Sequence, residues 1–179
     1  MLKRKGVSFL WLTEFSQFEI MPHKTNAARI LDLLKIPYVL KEFNVDLEDL
    51  SAVHAAEMIG IEAEDIYKTI VLRGKTHPFL VAVLPSDAHI DLKKVARASG
   101  DKNCELIHVK ELLQVTGYVR GGCSPVGMKK KFPTFIDTSA ITRNQIFVSA
   151  GRRGLLMRLS PSDLAKACEA KFDNLVLAQ

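Results

Sequence analysis

Apolar residues recur along this chain in two alternating periods, one near 3.6 and one near 2, and the alternation fixes the order of elements. Ala27, Ile30, Leu31 and Leu34 fall at i, i+3, i+4 and i+7, which predicts an amphipathic helix that must end before Pro37. Residues 38–43 read as a strand. Ser51 is placed to cap a helix through Ile59, and Gly60 to stop it. Residues 67–72 and 79–84 are apolar runs separated by a turn containing Gly74, the pattern of a hairpin. Asp91 caps a short helix carrying Leu92, Val95 and Ala96 that Gly100 closes. A strand near 104–107 and a helix near 110–115 follow. Strands at 134–136, 145–148 and 155–159 then lead to a last helix with Ser160 as cap and Pro161 at its first position. Hairpins mixed with isolated helices predict an α+β fold, its mixed, largely antiparallel sheet curled into a barrel-like pocket with flanking helices.

Composition narrows the class. The chain has 179 residues, 47% hydrophobic and 25% charged, as expected of one globular domain. No apolar run approaches the roughly 20 residues of a membrane span, so no membrane partner is expected. Residues 1–20 place Lys3, Arg4 and Lys5 ahead of a short apolar run with no small-residue cleavage site, and Met21 offers a second start. They read as an N-terminal appendage or an upstream start, leaving residues 21–179 as the domain. Cys104, Cys123 and Cys168 are odd in number and show no C-x-x-C spacing, which points to a reducing cytoplasm rather than a disulfide framework. The five histidines lack metal-ligand spacing, so no metal site or cofactor is assigned.

The segment most suited to chemistry is GYVRGGCSPVG, residues 117–127. Its glycines allow close approach or positive φ, Pro125 stiffens the exit and Ser124 supplies a hydroxyl. Residues 117–158 carry eight basic side chains against the single acid Asp137, although the chain as a whole is only +5. Lys129, Lys130, Lys131, Arg152 and Arg153 within it suit RNA phosphates, while Gly151 and Gly154 read first as a hairpin turn. The loop is not a P-loop, since Met128 stands where the lysine belongs, and Val126 and Pro125 break a nucleophile elbow at Ser124. Its remaining chemistry is that of N–H groups that polarise a carbonyl or hold a phosphate.

Four segments, IYKTIVLRG (66–74), IDLKKVA (90–96), GYVRGGCSPVGMKKKFPTFID (117–137) and FVSAGRRGL (147–155), together resemble the YbaK-type Cys-tRNA(Pro) deacylases, relatives of the editing domain of bacterial prolyl-tRNA synthetases. The resemblance runs in order from about Lys24 to the C-terminus. It implies trans-editing: hydrolysis of cysteine misattached to tRNA(Pro), often in the presence of prolyl-tRNA synthetase. It implies that Lys68 is the central site residue and that Gly121 and Gly122 line the pocket. Gly117, Tyr118, Cys123, Ser124 and Pro125 belong to the same loop motif, and Asp163 is expected nearby. Alternatively, Asp163 completes a capping arrangement with Ser160. Phe43 stands where many members have a tyrosine, and Cys123 where isoleucine is common, so the amino acid edited is left open between cysteine, alanine and other small residues. A noncatalytic tRNA-binding or synthetase-associated module is the reading from another class.

Overall fold

The computed structural model describes residues 24–45 and 52–178, with the backbone alone for residues 52 and 53. The appendage read at residues 1–20, the second start at Met21 and the cap at Ser51 lie outside the described residues.

Helix α1 (Asn26–Leu33) is capped by Thr25, whose Oγ1 accepts the Ala28 N–H at 3.2 Å, and it buries Ala27, Ala28 and Leu31. Strand β1 (Val39–Glu42) follows, then α2 (Ala52–Ile59), and β2 (Tyr67–Gly74) and β3 (Leu80–Pro85), which pair antiparallel from Tyr67↔Pro85 to Leu72↔Leu80. At the hairpin tip a Cβ on Gly74 would lie 2.6 Å from Asp101 Oδ2, so close approach demands glycine there. Asp101 accepts from the Thr76 amide at 2.5 Å and meets His77 Nδ1 at 2.9 Å, contacts that hold its carboxyl well below the usual carboxylate range.

Asp91 caps α3 (Leu92–Ser99) by accepting from the Lys93 and Lys94 amides, and Gly100 ends it at φ 76°. Next come β4 (Cys104–Leu106), α4 (Val109–Thr116), β5 (Thr134–Asp137), the hairpin of β6 (Ile146–Arg152) and β7 (Leu155–Leu159), α5 (Pro161–Cys168) and β8 (Lys171–Asp173). Five strands form one sheet in the order β4-β2-β3-β5-β8, parallel only at β3-β5 and β5-β8, and three form another in the order β1-β7-β6.

The central strand β3 is buried on both faces. Val81 and Val83 pack with Tyr67, Val148, Met157, Leu31 and Leu164 on one side, whereas Leu80, Ala82 and Leu84 pack with Leu72, Val95 and Phe135 on the other. That two-sided burial explains the unbroken apolar run of residues 80–84. No helix among the described residues is long and apolar enough to cross a membrane.

The α+β class and the mixed, mainly antiparallel pairing match the sequence reading, but no closed barrel forms among the described residues. The C-terminal end of β2 pairs with β4, whereas just before its start Ile66 makes an isolated parallel bridge to Phe147 of the other sheet. Beyond that bridge β2 and β6 separate. Among the described residues the edge strands are β1 and β6 of one sheet and β4 and β8 of the other.

Candidate functional site

Side chains alternate along a strand, so Lys68 shares a face with Ile66, and Ser149 shares one with Phe147. The Ile66–Phe147 bridge makes these the same face. Phe43, Ile66, Phe147 and Leu156 pack together there, and the Arg158 guanidinium lies 5.9 Å from the centroid of the Phe147 ring. Ser149, opposite Leu156 in the β6–β7 pairing, was not singled out from sequence. Its signal was available: it stands two residues after Phe147 in a strand whose alternate positions are core.

Lys68 is half-buried, and its Nζ donates to the main-chain carbonyls of Ser86 at 2.9 Å and Ala88 at 2.6 Å. The turn that supplies them is pinned by the Ser86 amide to Ile66 O at 2.8 Å and the Ser86 hydroxyl to Ala63 O at 2.7 Å. Burial lowers the Lys68 pKa from 10.5, with Asp87 opposing the shift. The arrangement presents one fixed ammonium at a partly dry surface.

The glycine loop fills the gap where β2 and β6 separate. Gly117 ends α4 at φ 85°, and Tyr118 and Cys123 anchor the loop against Val71, on the face of β2 opposite Lys68. The Tyr118 hydroxyl donates to Val126 O at 2.7 Å and Gly127 O at 3.1 Å, clasping the loop from within. Gly122 packs so closely on the β6–β7 hairpin that a Cβ would sit 2.9 Å from Arg152 C and Arg153 N. Its amide donates to Val119 O at 3.0 Å, closing a turn with Gly121 at φ 81° in the third position, as a type II turn requires. Gly122 N–H is thereby engaged. Gly121 is exposed, and its amide has no hydrogen bond among the described residues.

Ser124 is fully buried, and its Oγ accepts the Val126 amide at 3.2 Å. Pro125 is buried beside it, its carbonyl accepting from Cys168 Sγ at 3.4 Å. Burial pushes the Cys123 thiol up to about 12, so it stays protonated near neutrality. Asp163 stands apart from the Lys68 face. It receives the Ser160 hydroxyl at 2.7 Å while its amide donates to Ser160 Oγ at 3.1 Å, and the neighbouring Leu164 packs in the core on the other face of the strands. The capping arrangement is what the geometry shows for it.

The basic residues are partly neutralised by the chain itself. Arg152 pairs with Glu42 at 2.6 Å, Arg143 with Glu64 and Asp65 at 2.8 Å each, and Lys131 with Glu169. Lys129 bonds the last turn of α4 through Leu113 O at 3.3 Å, Arg153 Nε bonds Arg120 O at 2.9 Å, and Lys130 is exposed. These pairings lie too far apart in sequence, up to 110 residues for Arg152 and Glu42, to be read from charge runs.

The model of the aminoacyl-tRNA editing domain matches residues 49–167, a span that contains Lys68, the glycine loop and the β6–β7 hairpin. The chain belongs to the aminoacyl-tRNA editing domain family. It is 47% identical over 150 residues, 83% of this chain and 91% of the relative, to the "Putative Cys-tRNA(Pro)/Cys-tRNA(Cys) deacylase EbsC" of Enterococcus faecalis. It is 26% identical over 96 residues to the proline–tRNA ligase of Brachyspira hyodysenteriae, covering 53% of this chain and 17% of the ligase. Among solved structures, one described as a putative trans-editing enzyme for prolyl-tRNA synthetase matches with a TM-score of 0.72 at 23% identity, covering 86% of this chain and 98% of that one. At that identity the structural match bears on the fold. The family resemblance read from residues 66–74 and 117–137 therefore holds.

Proposed function

We propose that this protein is a trans-editing deacylase that hydrolyses the ester joining misattached cysteine to tRNA(Pro). The observation that carries the reading is the Lys68 ammonium, half-buried and fixed by two main-chain carbonyls, in a chain of the editing-domain family. The name of the 47% identical relative supports the substrate.

In this reading Lys68 holds the terminal adenosine phosphate and orients the ester. The Gly121 amide, free at the exposed loop tip, donates to an oxygen of the bound substrate, whereas the Gly122 N–H is engaged by Val119 O. Ser124 and Cys123 shape the loop and carry no acyl group, one hydroxyl being buried in a turn and one thiol held protonated. The nucleophile is the substrate's own thiol, and no step uses a metal. Its sulfur forms a bond to the ester carbon as the ester carbon–oxygen bond breaks, the thiol proton passes to the ribose oxygen, and the released thiolactone opens in water. Positioning supplies the rate because the step is intramolecular. Cytoplasmic tRNA(Pro) charged with cysteine is the partner, with prolyl-tRNA synthetase as the source of the error.

Deacylation of Cys-, Ala- and Pro-tRNA(Pro) by the purified full-length protein tests this. Rapid loss of the cysteinyl ester with the prolyl ester intact is expected. Faster hydrolysis of the alanyl ester would move the protein to alanine editing, and no hydrolysis of any ester would leave a tRNA-binding module.

A further inference from the structure

Behind the glycine loop, on the side away from Lys68, lies a cleft of about 300 Å³ between α1, residues 125–134 and α5. Its floor is apolar: Ile30, Leu34, Met128 and Phe132 line it, and the Phe132 ring is steadied by an edge contact with Phe79 at 5.6 Å and 72°. Its rim is cationic. Lys130, Lys131 and Lys166 are exposed there against the single acid Glu169, which pairs with Lys131. Two of its lining residues, Pro125 and Gly127, come from the glycine loop itself.

An apolar slot ringed by lysines suits a ligand that is flat and apolar in its body and anionic at its ends. A nucleotide has that form, with a π-face that stacks on apolar and aromatic side chains and phosphates that draw cations. The volume, at the low end of the roughly 300–1,000 Å³ of ligand pockets, takes one base and not a duplex, whose bases are already stacked inside. We propose that this cleft receives one unpaired nucleotide of the bound tRNA, its base on the Met128–Phe132 floor and its flanking phosphates on Lys130 and Lys166. The proposal rests on the reading of the protein as a tRNA deacylase. The basic excess of residues 117–158 favours RNA over an acidic amphipathic peptide, which would use the same floor.

Methyl-selective NMR of the full-length protein reads the cleft directly. The methyls of Ile30, Leu34 and Met128 are expected to shift saturably with uncharged tRNA(Pro) and with AMP, and to stay fixed with inorganic phosphate or a short RNA duplex. Lys166→Glu, at an exposed position, should weaken both responses at least fivefold, as should Leu34→Glu, with the buried Met157 methyl reporting that the fold is kept. Fixed methyls while tRNA binds elsewhere would overturn the proposal, as would equal shifts with phosphate alone or tighter binding of an acidic amphipathic peptide than of AMP. Deacylation of Cys-tRNA(Pro) on the same samples separates the two claims. Hydrolysis with unmoved methyls removes the cleft and keeps the deacylase, whereas RNA-dependent shifts without hydrolysis support the cleft and remove the deacylase.

Discussion

Lys68 and Lys131 are the same side chain in opposite settings. Lys131 is 86% exposed and shares its charge with Glu169, itself 68% exposed. Water screens such a pair, which contributes about 0–1 kcal/mol to stability. Lys68 is drawn into the protein surface, where its ammonium meets two carbonyl oxygens and no carboxylate in direct contact, and burial works against its charge. A cation held that way keeps its field for an incoming anion. On the proposed function, the density of positive charge along the chain is where RNA would be attracted, while desolvation singles out one lysine as the candidate for the chemistry.

Removing each cation sharpens the contrast most. Lys68→Ala should lower single-turnover deacylation of Cys-tRNA(Pro) by on the order of 10²-fold or more, as expected for a lost positioning contact, with circular dichroism and Tm near wild type. Lys68→Arg should be impaired as well, because a planar fork does not fit between the Ser86 and Ala88 carbonyls. Lys131→Ala should change kcat/KM by about twofold, in line with a screened surface charge.

Moving the loop without touching a charge is the next largest perturbation. Gly122→Ala brings a Cβ to 2.9 Å from hairpin backbone, so either the loop or the hairpin must shift. Activity should fall by about tenfold or more, since displacement of about 1 Å can cost that much, and Tm should fall with it. Gly117→Ala would be milder sterically, its nearest neighbour being the flexible Lys129 stem at 3.1 Å, but φ 85° adds strain.

Titration gives a further test of Lys68. Burial lowers the folded-state pKa of Lys68 below 10.5, so between that lowered value and 10.5 the unfolded chain binds the proton that the folded protein has lost. Across this window the Lys68 contribution to stability rises with pH, while activity that needs the ammonium falls. The pH–rate profile should show an alkaline limb below 10.5 that Asp87→Asn moves to lower pH, since Asp87 holds the pKa up. A limb unmoved in Asp87→Asn would assign it to another group.

The smallest effects are expected at the loop's own candidate nucleophiles. Cys123→Ser and Ser124→Ala should each retain most of the deacylation rate. Ser124→Ala should lower stability by about 1 kcal/mol through loss of the acceptor for the Val126 amide. A covalent aminoacyl adduct at either side chain, sought by mass spectrometry, would contradict the substrate-thiol mechanism.

Much of this contrast was legible in the chain. Thr69, Ile70, Val71 and Leu72 after Lys68 read as a strand because the run is largely β-branched and apolar, and Gly60 and Gly100, read as helix stops, both lie in the left-handed region. What sequence left out depends on long-range placement. Strand β8 has only Lys171–Asp173 to show, and those residues become a strand because β5 offers a parallel edge. The closure of the sheets was not legible, because nothing local shows that the chain meets β6 at Ile66, just before β2, while the end of β2 pairs with β4. The carbonyl seat of Lys68 was invisible for the same reason, since main-chain oxygens of Ser86 and Ala88 leave no mark on residue identity.

The central claim is that the protein positions an ester whose own side chain attacks it. Single-turnover deacylation of Cys-tRNA(Pro) and Ser-tRNA(Pro) at saturating enzyme removes affinity from the comparison. The seryl ester is nearly the same size with a far less acidic hydroxyl, and the account predicts that it is cleaved much more slowly than the cysteinyl ester. Equal rate constants would contradict the thiol mechanism and return the attack to a positioned water.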